Sequence, residues 1–204
     1  MKNIFIILSI FTIALNCKAQ SPVFDLLDMQ NRIKDIYGAY HKDMNNLLNP
    51  FEGTYVYSNG NILLKIILKK KVMSSMNGYL YEDMIVGEYQ YIENGIEKIN
   101  TLNELSVNHP NAWNYSIGAN RIITSGNTGC EECLPNEKAL SGGLAESSTH
   151  NTADLIIRRI NVNGIQAIKI FVMWRMRYKK ETDPMPPKAS FPGGEYILTR
   201  RLER

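Results

Sequence analysis

Three Asn-Gly dipeptides, Asn59-Gly60, Asn94-Gly95 and Asn163-Gly164, each stand between two runs that alternate along the chain. Asparagine and glycine accept positive φ at both central positions of a two-residue turn, so each dipeptide predicts a β-hairpin. The first is the clearest. Within Phe51–Lys71, Tyr55 and Tyr57 alternate with Thr54, Val56 and Ser58, and after the turn Ile62, Leu64, Ile66 and Leu68 share one face. The opposite face mixes Leu63 and Ile67 with Lys65, Lys69 and Lys71. A period of two with one dry face means a sheet packed on a core.

The same pattern recurs downstream. Tyr81–Ile92 reads as a long strand, with Ile85, Gly87, Tyr89 and Tyr91 on one side and Met84, Val86, Glu88 and Gln90 on the other. Asn94-Gly95 joins it to a strand over Ile96–Thr101, and Asn120–Thr124 is a further short strand. Thr152–Val162 and Ile165–Tyr178 form the third hairpin, with Ile168, Ile170, Val172, Trp174 and Met176 on one face. Glu195–Arg201 closes the chain. Asn77-Gly78 marks a looser turn, and Ser125–Asn151, rich in glycine and serine, reads as the longest loop. Thr182–Gly194 carries four prolines and reads as an extended connector. The expected fold is all-β. Eight or nine antiparallel strands close into a barrel, because closure removes the exposed edges of so long a meander. A two-sheet β-sandwich is the alternative.

The N-terminus carries an address. Lys2 precedes an apolar run over Ile4–Leu15, which is too short to span a bilayer, and Cys17-Lys18-Ala19 offers small residues for cleavage before Gln20. Residues 1–19 are expected to be an export signal, 20–50 an N-terminal arm and 51–204 the barrel domain. In the arm, Ser21-Pro22 is expected to start a helix, and one helical turn before Pro50 leads into the hairpin. Two alternatives to cleavage stay open: retention of the signal as an anchor, and lipidation at Cys17. No other stretch approaches the length of a membrane helix. The formal charge of +3 includes Lys2 and Lys18, so the exported chain is almost neutral and offers no electrostatic case for nucleic acid.

Little here carries chemistry. Cys130 and Cys133 are the cysteines left after signal removal. Redox exchange needs a lowered thiol pKa, which Glu131 and Glu132 between the sulfurs oppose. Zinc needs four ligands, and His150 is the only histidine nearby. A small disulfide staple is the expected state, since an oxidising compartment favours it. His41, His109 and His150 are scattered and read as surface or loop residues. No Gly-x-Ser-x-Gly and no phosphate loop occur, so neither a nucleophile set nor a cofactor motif can be assembled. A non-enzymatic role without cofactor or metal is expected. Lys69-Lys70-Lys71 reads as a solvated strand end that blocks edge pairing.

Two resemblances add to this. Pro50-Phe51-Glu52-Gly53-Thr54-Tyr55 resembles the opening of a lipocalin-type barrel, where a helical turn precedes a Gly-x-Trp motif whose ring closes the base. Tyr55 stands at the tryptophan position, and the resemblance implies that Arg200 or Arg201 packs across its ring. More of the chain resembles an uncharacterised family of small secreted proteins of the Bacteroidota. The shared stretches are Lys18-Ala19-Gln20, Asn49–Tyr55, Ile85–Gly95 and Leu198-Thr199. That resemblance implies an address and a fold, with no activity attached.

Barrels of about eight strands either enclose one small ligand or fill themselves with side chains. The leading expectation is a monomer that holds a small apolar or amphipathic ligand inside the barrel, lined by Tyr55, Tyr57, Tyr89, Tyr91 and Trp174. The alternative is an envelope or extracellular interaction module with a solid core, in which those rings are plain packing and Trp113 marks an exposed patch.

Overall fold

The structure is a computed structural model that describes residues 21–28, 36–76, 78–125, 130, 132–176, 185 and 187–201. The expected export signal, with Cys17, lies outside the described residues. Eleven strands follow in order: β1 (Val23–Asp25), β2 (Tyr40–Lys42), β3 (Gly53–Asn59), β4 (Ile62–Met76), β5 (Leu80–Glu93), β6 (Ile96–Asn100), β7 (Ile117–Thr124), β8 (Lys138–Glu146), β9 (Asn151–Val162), β10 (Ile165–Trp174) and β11 (Gly194–Arg201). Short 3-10 turns at Asn49–Phe51, Leu102–Ser106 and Ala112–Asn114 are the only helical pieces among the described residues.

Eight of these strands close an antiparallel barrel. Around the wall run β3, β4, β5, β7, β8, β9, β10 and β11, and β11 returns to β3 through Thr199↔Val56, Arg200↔Tyr55 and Arg201↔Thr54. β5 branches: one half pairs with β7 from Ile85↔Ala119 to Gly87↔Ile117, and the other pairs with β6. The alternation read from the sequence sets the inside of the wall. Leu64, Ile66, Leu68, Ile85, Leu140, Leu155, Ile157, Ile168, Ile170 and Leu198 are all buried in one continuous core. The outer side of β5 is covered too. Met84 and Val86 form a second cluster with Ala112 and Tyr115.

The hairpins follow the expected chemistry with one shift. Asn94-Gly95 and Asn163-Gly164 have positive φ at both residues, as a two-residue turn of matching twist requires. In the first hairpin Asn59 instead pairs with Ile62, so the loop is Gly60-Asn61 and Gly60 carries the positive φ. The pairing places Tyr55 and Tyr57 opposite Ile66 and Leu64, so the inward set is unchanged.

Three other expectations are corrected. The stretch read as one long loop contains β8, whose Ser141-Gly142-Gly143 centre hides a strand. Gly142 lies where β7 bulges between Ala119 and Arg121, and a Cβ there would collide with the Gly118 carbonyl and Ala119. Close backbone approach, not a turn, is what that glycine serves. In the arm, Ser21-Pro22 starts no helix: β1 is extended and pairs in parallel with β2, which pairs in parallel with β5. Lys69-Lys70-Lys71 is solvated only at Lys69, which is exposed as expected, whereas Lys70 and Lys71 are half-buried. These residues lie beyond the last β3 pair, Gly53↔Leu68, and Lys70 and Lys71 are covered there. The Lys70 backbone N–H donates to Glu52 Oε2, its Nζ donates to Asp43 and Asn49, and the Lys71 Nζ donates to Asn108.

Candidate functional site

The barrel axis is the first place to look for a site, and aromatic rings occupy it. Tyr89 and Tyr91 project inward from β5, Trp174 from the end of β10 and Tyr196 from β11. All four surround Phe191, which the segment before β11 inserts among them. Centroid separations run from 5.4 to 6.0 Å, within the range that edge-on and tilted ring pairs prefer. Phe191 is 2% exposed, Tyr89 0% and Tyr91 1%.

The plug is tied down by hydrogen bonds to the wall. The Trp174 indole N–H donates to the Phe191 carbonyl at 3.0 Å, and the Tyr196 hydroxyl donates to the Pro192 carbonyl at 2.6 Å. The Ser190 backbone N–H donates to Glu146 at 2.7 Å, and the Asn151 side chain donates to the Pro187 carbonyl at 3.0 Å. Glu146 and Asn151 are themselves buried at the paired ends of β8 and β9. Burial pushes the Tyr89 hydroxyl far above the ordinary tyrosine range, and the Glu146 and Glu88 carboxylates push the same way. Burial also raises Tyr196, to about 12, helped by Tyr91 and Tyr57.

The five tyrosine and tryptophan candidates therefore separate. Tyr89, Tyr91 and Trp174 come together around Phe191. Tyr57, half-buried, stands edge-on to Tyr196 at 5.3 Å. Tyr55 sits apart, 2% exposed, with its hydroxyl donating to the Phe51 carbonyl at 3.1 Å. It also borders a cleft at that end with Pro50 and Arg159. The ring–cation contact there is Arg159 over Phe51 at 5.9 Å, not an arginine across Tyr55. Arg200 pairs with Tyr55 in register, and its guanidinium lies where a Gly53 side chain would be and donates to Gln166. Phe191 was invisible to periodicity because it lies in the proline-rich connector. Its only sequence signal was that it is the one aromatic residue of that connector.

Cys130 and Cys133 are bridged, with Cα atoms 5.3 Å apart, and both sulfurs are buried against Ile123 and Ala139. The stapled loop is pinned to the outer wall by charge. Arg158 on β9 donates to Glu137 and Glu132, and Lys169 on β10 pairs with Glu132 and Glu195. The Arg158 hydrogen bond holds the Glu137 carboxyl below its usual range despite partial burial. Beside the loop, Ile156, Phe171 and Met173 line a 340 Å³ pocket.

A third polar cluster joins the arm to the wall. Asp83 accepts from the Tyr40 hydroxyl at 2.6 Å, the Asp43 N–H at 3.0 Å and the Met73 N–H at 2.9 Å. Asp43 in turn accepts from Lys70 and from the N–H groups of Leu47 and Leu48. His41, read as a surface residue, is 1% exposed here, edge-on to Phe24 and 3.5 Å from Glu82. Its position on β2, between β1 and β5, buries it. Among the described residues no three histidine, cysteine, aspartate or glutamate side chains converge as metal ligands would. Nor, among them, is any helix long and apolar enough to cross a membrane.

Trp113 and Tyr115 pack against the outer side of β5 and β7. The segment carrying them folds over the outside of the wall, where Tyr115 is buried and Trp113 lies 43% exposed against Gly118. The all-β antiparallel barrel expected with eight or nine strands has a closed wall of eight, with further strands outside it. No curated protein and no solved structure matches the chain. A model for a family of unknown function, DUF6705, matches residues 1–201, and the chain belongs to that family.

Proposed function

We propose that this protein is an exported, non-catalytic binding module that works through the outside of a filled barrel. The observation that carries this reading is the occupied axis: Phe191, ringed by Tyr89, Tyr91, Trp174 and Tyr196, takes the space an internal guest would need. A protein interior is packed to crystal density, so a guest would have to displace the plug and break four hydrogen bonds. The outer wall, by contrast, bears clefts and exposed apolar side chains, among them Trp113, Phe171 and Met173. The bridged Cys130 and Cys133 support export, since such a bond persists in oxidising compartments.

Two mass measurements on the protein recovered from an exporting host test this. Under native conditions the protein should carry no stoichiometric small molecule, and an apolar guest released on unfolding would overturn the filled-barrel reading. The denatured mass should correspond to a chain beginning at Gln20. A chain that keeps residues 1–19 would overturn export, and one acylated on Cys17 would replace free release with an anchor.

A further inference from the structure

A second concavity lies on the outer wall, over β7, β8 and β9, with a volume of 590 Å³. Its floor is backbone-rich, because Gly118 and Gly143 present no side chain there. Trp113 forms one wall. Its backbone N–H donates to the Asn111 side chain, and the Ala112 N–H beside it donates to the buried Ser74 hydroxyl. The backbone that carries the indole is thus fixed, the ring lies over Gly118, and it is 43% exposed. The opposite side is polar: Arg175 donates to Asp154 across the rim, and Arg121 and Asn120 border the groove further along.

We propose that this groove binds a pyranose unit of a glycan chain. The proposal rests on the outer-wall reading above. A pyranose has one apolar C–H face, which a tryptophan ring can cover, and an edge of hydroxyls that ask for adjacent donors and acceptors. Trp113 supplies the first, and the Arg175–Asp154 pair supplies the second. The glycines are not equivalent, and that difference is informative. Gly118 underlies the Trp113 ring and Gly142 passes too close to β7 for any side chain. Gly143 has no such neighbour: a Cβ there would meet nothing nearer than the Ala153 carbonyl at 3.6 Å. Its φ lies outside the region reserved for glycine. The fold does not require glycine at 143, whereas a ligand that approaches the sheet backbone does.

The chain has two tryptophans, so Trp174→Phe leaves Trp113 as the only indole reporter. Full-length exported protein with that change is titrated with tetramers of N-acetylglucosamine, xylose and glucose and with a trimer of galacturonate, following tryptophan fluorescence. At least one should give a saturable change. Adding Gly143→Leu, whose side chain enters the groove, should weaken that binding at least tenfold while thermal unfolding stays cooperative. Isothermal titration of Trp113→Ala without the reporter change should show the same loss. A flat response to all four sugars, or equal affinity in the Gly143→Leu protein, overturns the proposal. The flat response leaves the filled-barrel reading standing, because that reading fails only on an internal guest.

Discussion

Trp174 and Phe191 are joined at two points. The indole N–H donates to the Phe191 carbonyl at 3.0 Å, and the two rings meet edge to face at 5.4 Å. One residue fixes both the path of the strap and the position of its plug. Because Phe191 is 2% exposed and touches four rings, Phe191→Ala leaves a cavity that the wall cannot collapse to fill. The expected cost is about 3–5 kcal/mol in chemical denaturation. The variant should also gain affinity for a small apolar dye that the parent ignores. A loss under about 1 kcal/mol would mean the plug is a loose cover rather than core.

The ring of tyrosines also predicts an alkaline limit. Burial raises Tyr89, Tyr91 and Tyr196, the last to about 12, whereas a tyrosine in the unfolded chain ionises near 10. The folded state therefore keeps protons that the unfolded state has lost. Their contribution to stability is intact below pH 10 and declines as pH rises from 10 through about 12. Denaturation midpoints should be flat up to pH 10 and fall above it. The phenolate absorbance of these three should appear together with unfolding, and an earlier, independent step would count against their burial.

An acid limit arises where the arm meets the wall. Burial works against the Asp43 carboxylate, but hydrogen bonds from Lys70 and from the Leu48 and Leu47 N–H groups outweigh it and hold the group below its usual value of 3.8. A lowered folded value means stability that is present above about pH 3.8 and is lost as pH falls through the folded value. Lys70→Met removes the largest of the lowering influences. Its stability should be reduced at neutral pH and should vary less with acid than that of the parent. Parallel curves for the two proteins would remove Lys70 from the account.

Much of the wall was legible in advance because its signals are local. Three turn dipeptides and period-two runs specify which strands pair and which residues face inward, though the first loop is displaced by one residue, and Tyr89, Tyr91, Ile168 and Ile170 all point as their spacing demands. What was missed depends on non-local geometry. β8 reads as loop because Gly142 is there for the sake of β7, a strand some twenty residues away. His41 reads as surface because nothing in Tyr40–Lys42 announces burial between β1 and β5. The state of the barrel axis was undecidable from the strands alone, since the residue that fills it belongs to none of them. Phe191 reaches the axis through hydrogen bonds of Glu146 and Asn151, and no periodicity encodes those.

Two glycines in the wall should respond oppositely to alanine. At Gly87 on β5, a Cβ would stand 2.7 Å from the Ile67 carbonyl oxygen and 2.7 Å from the Leu68 side chain. Backbone on the neighbouring strand cannot move aside cheaply, so Gly87→Ala should cost about 1–3 kcal/mol through overpacking. At Gly143 on β8 the nearest atom would be 3.6 Å away, and no positive φ has to be preserved. Alanine there restricts the unfolded chain without straining the folded one, so Gly143→Ala should be neutral or stabilising by about 0.4–1 kcal/mol. Paired denaturation curves decide the matter. If Gly143→Ala loses as much as Gly87→Ala, then strand packing already explains the glycine, and the groove beneath Trp113 no longer needs a sugar to account for it. If it gains, the chain holds a residue at position 143 that its own stability does not favour. A ligand pressed against the bare backbone is then the cause with a stated geometry.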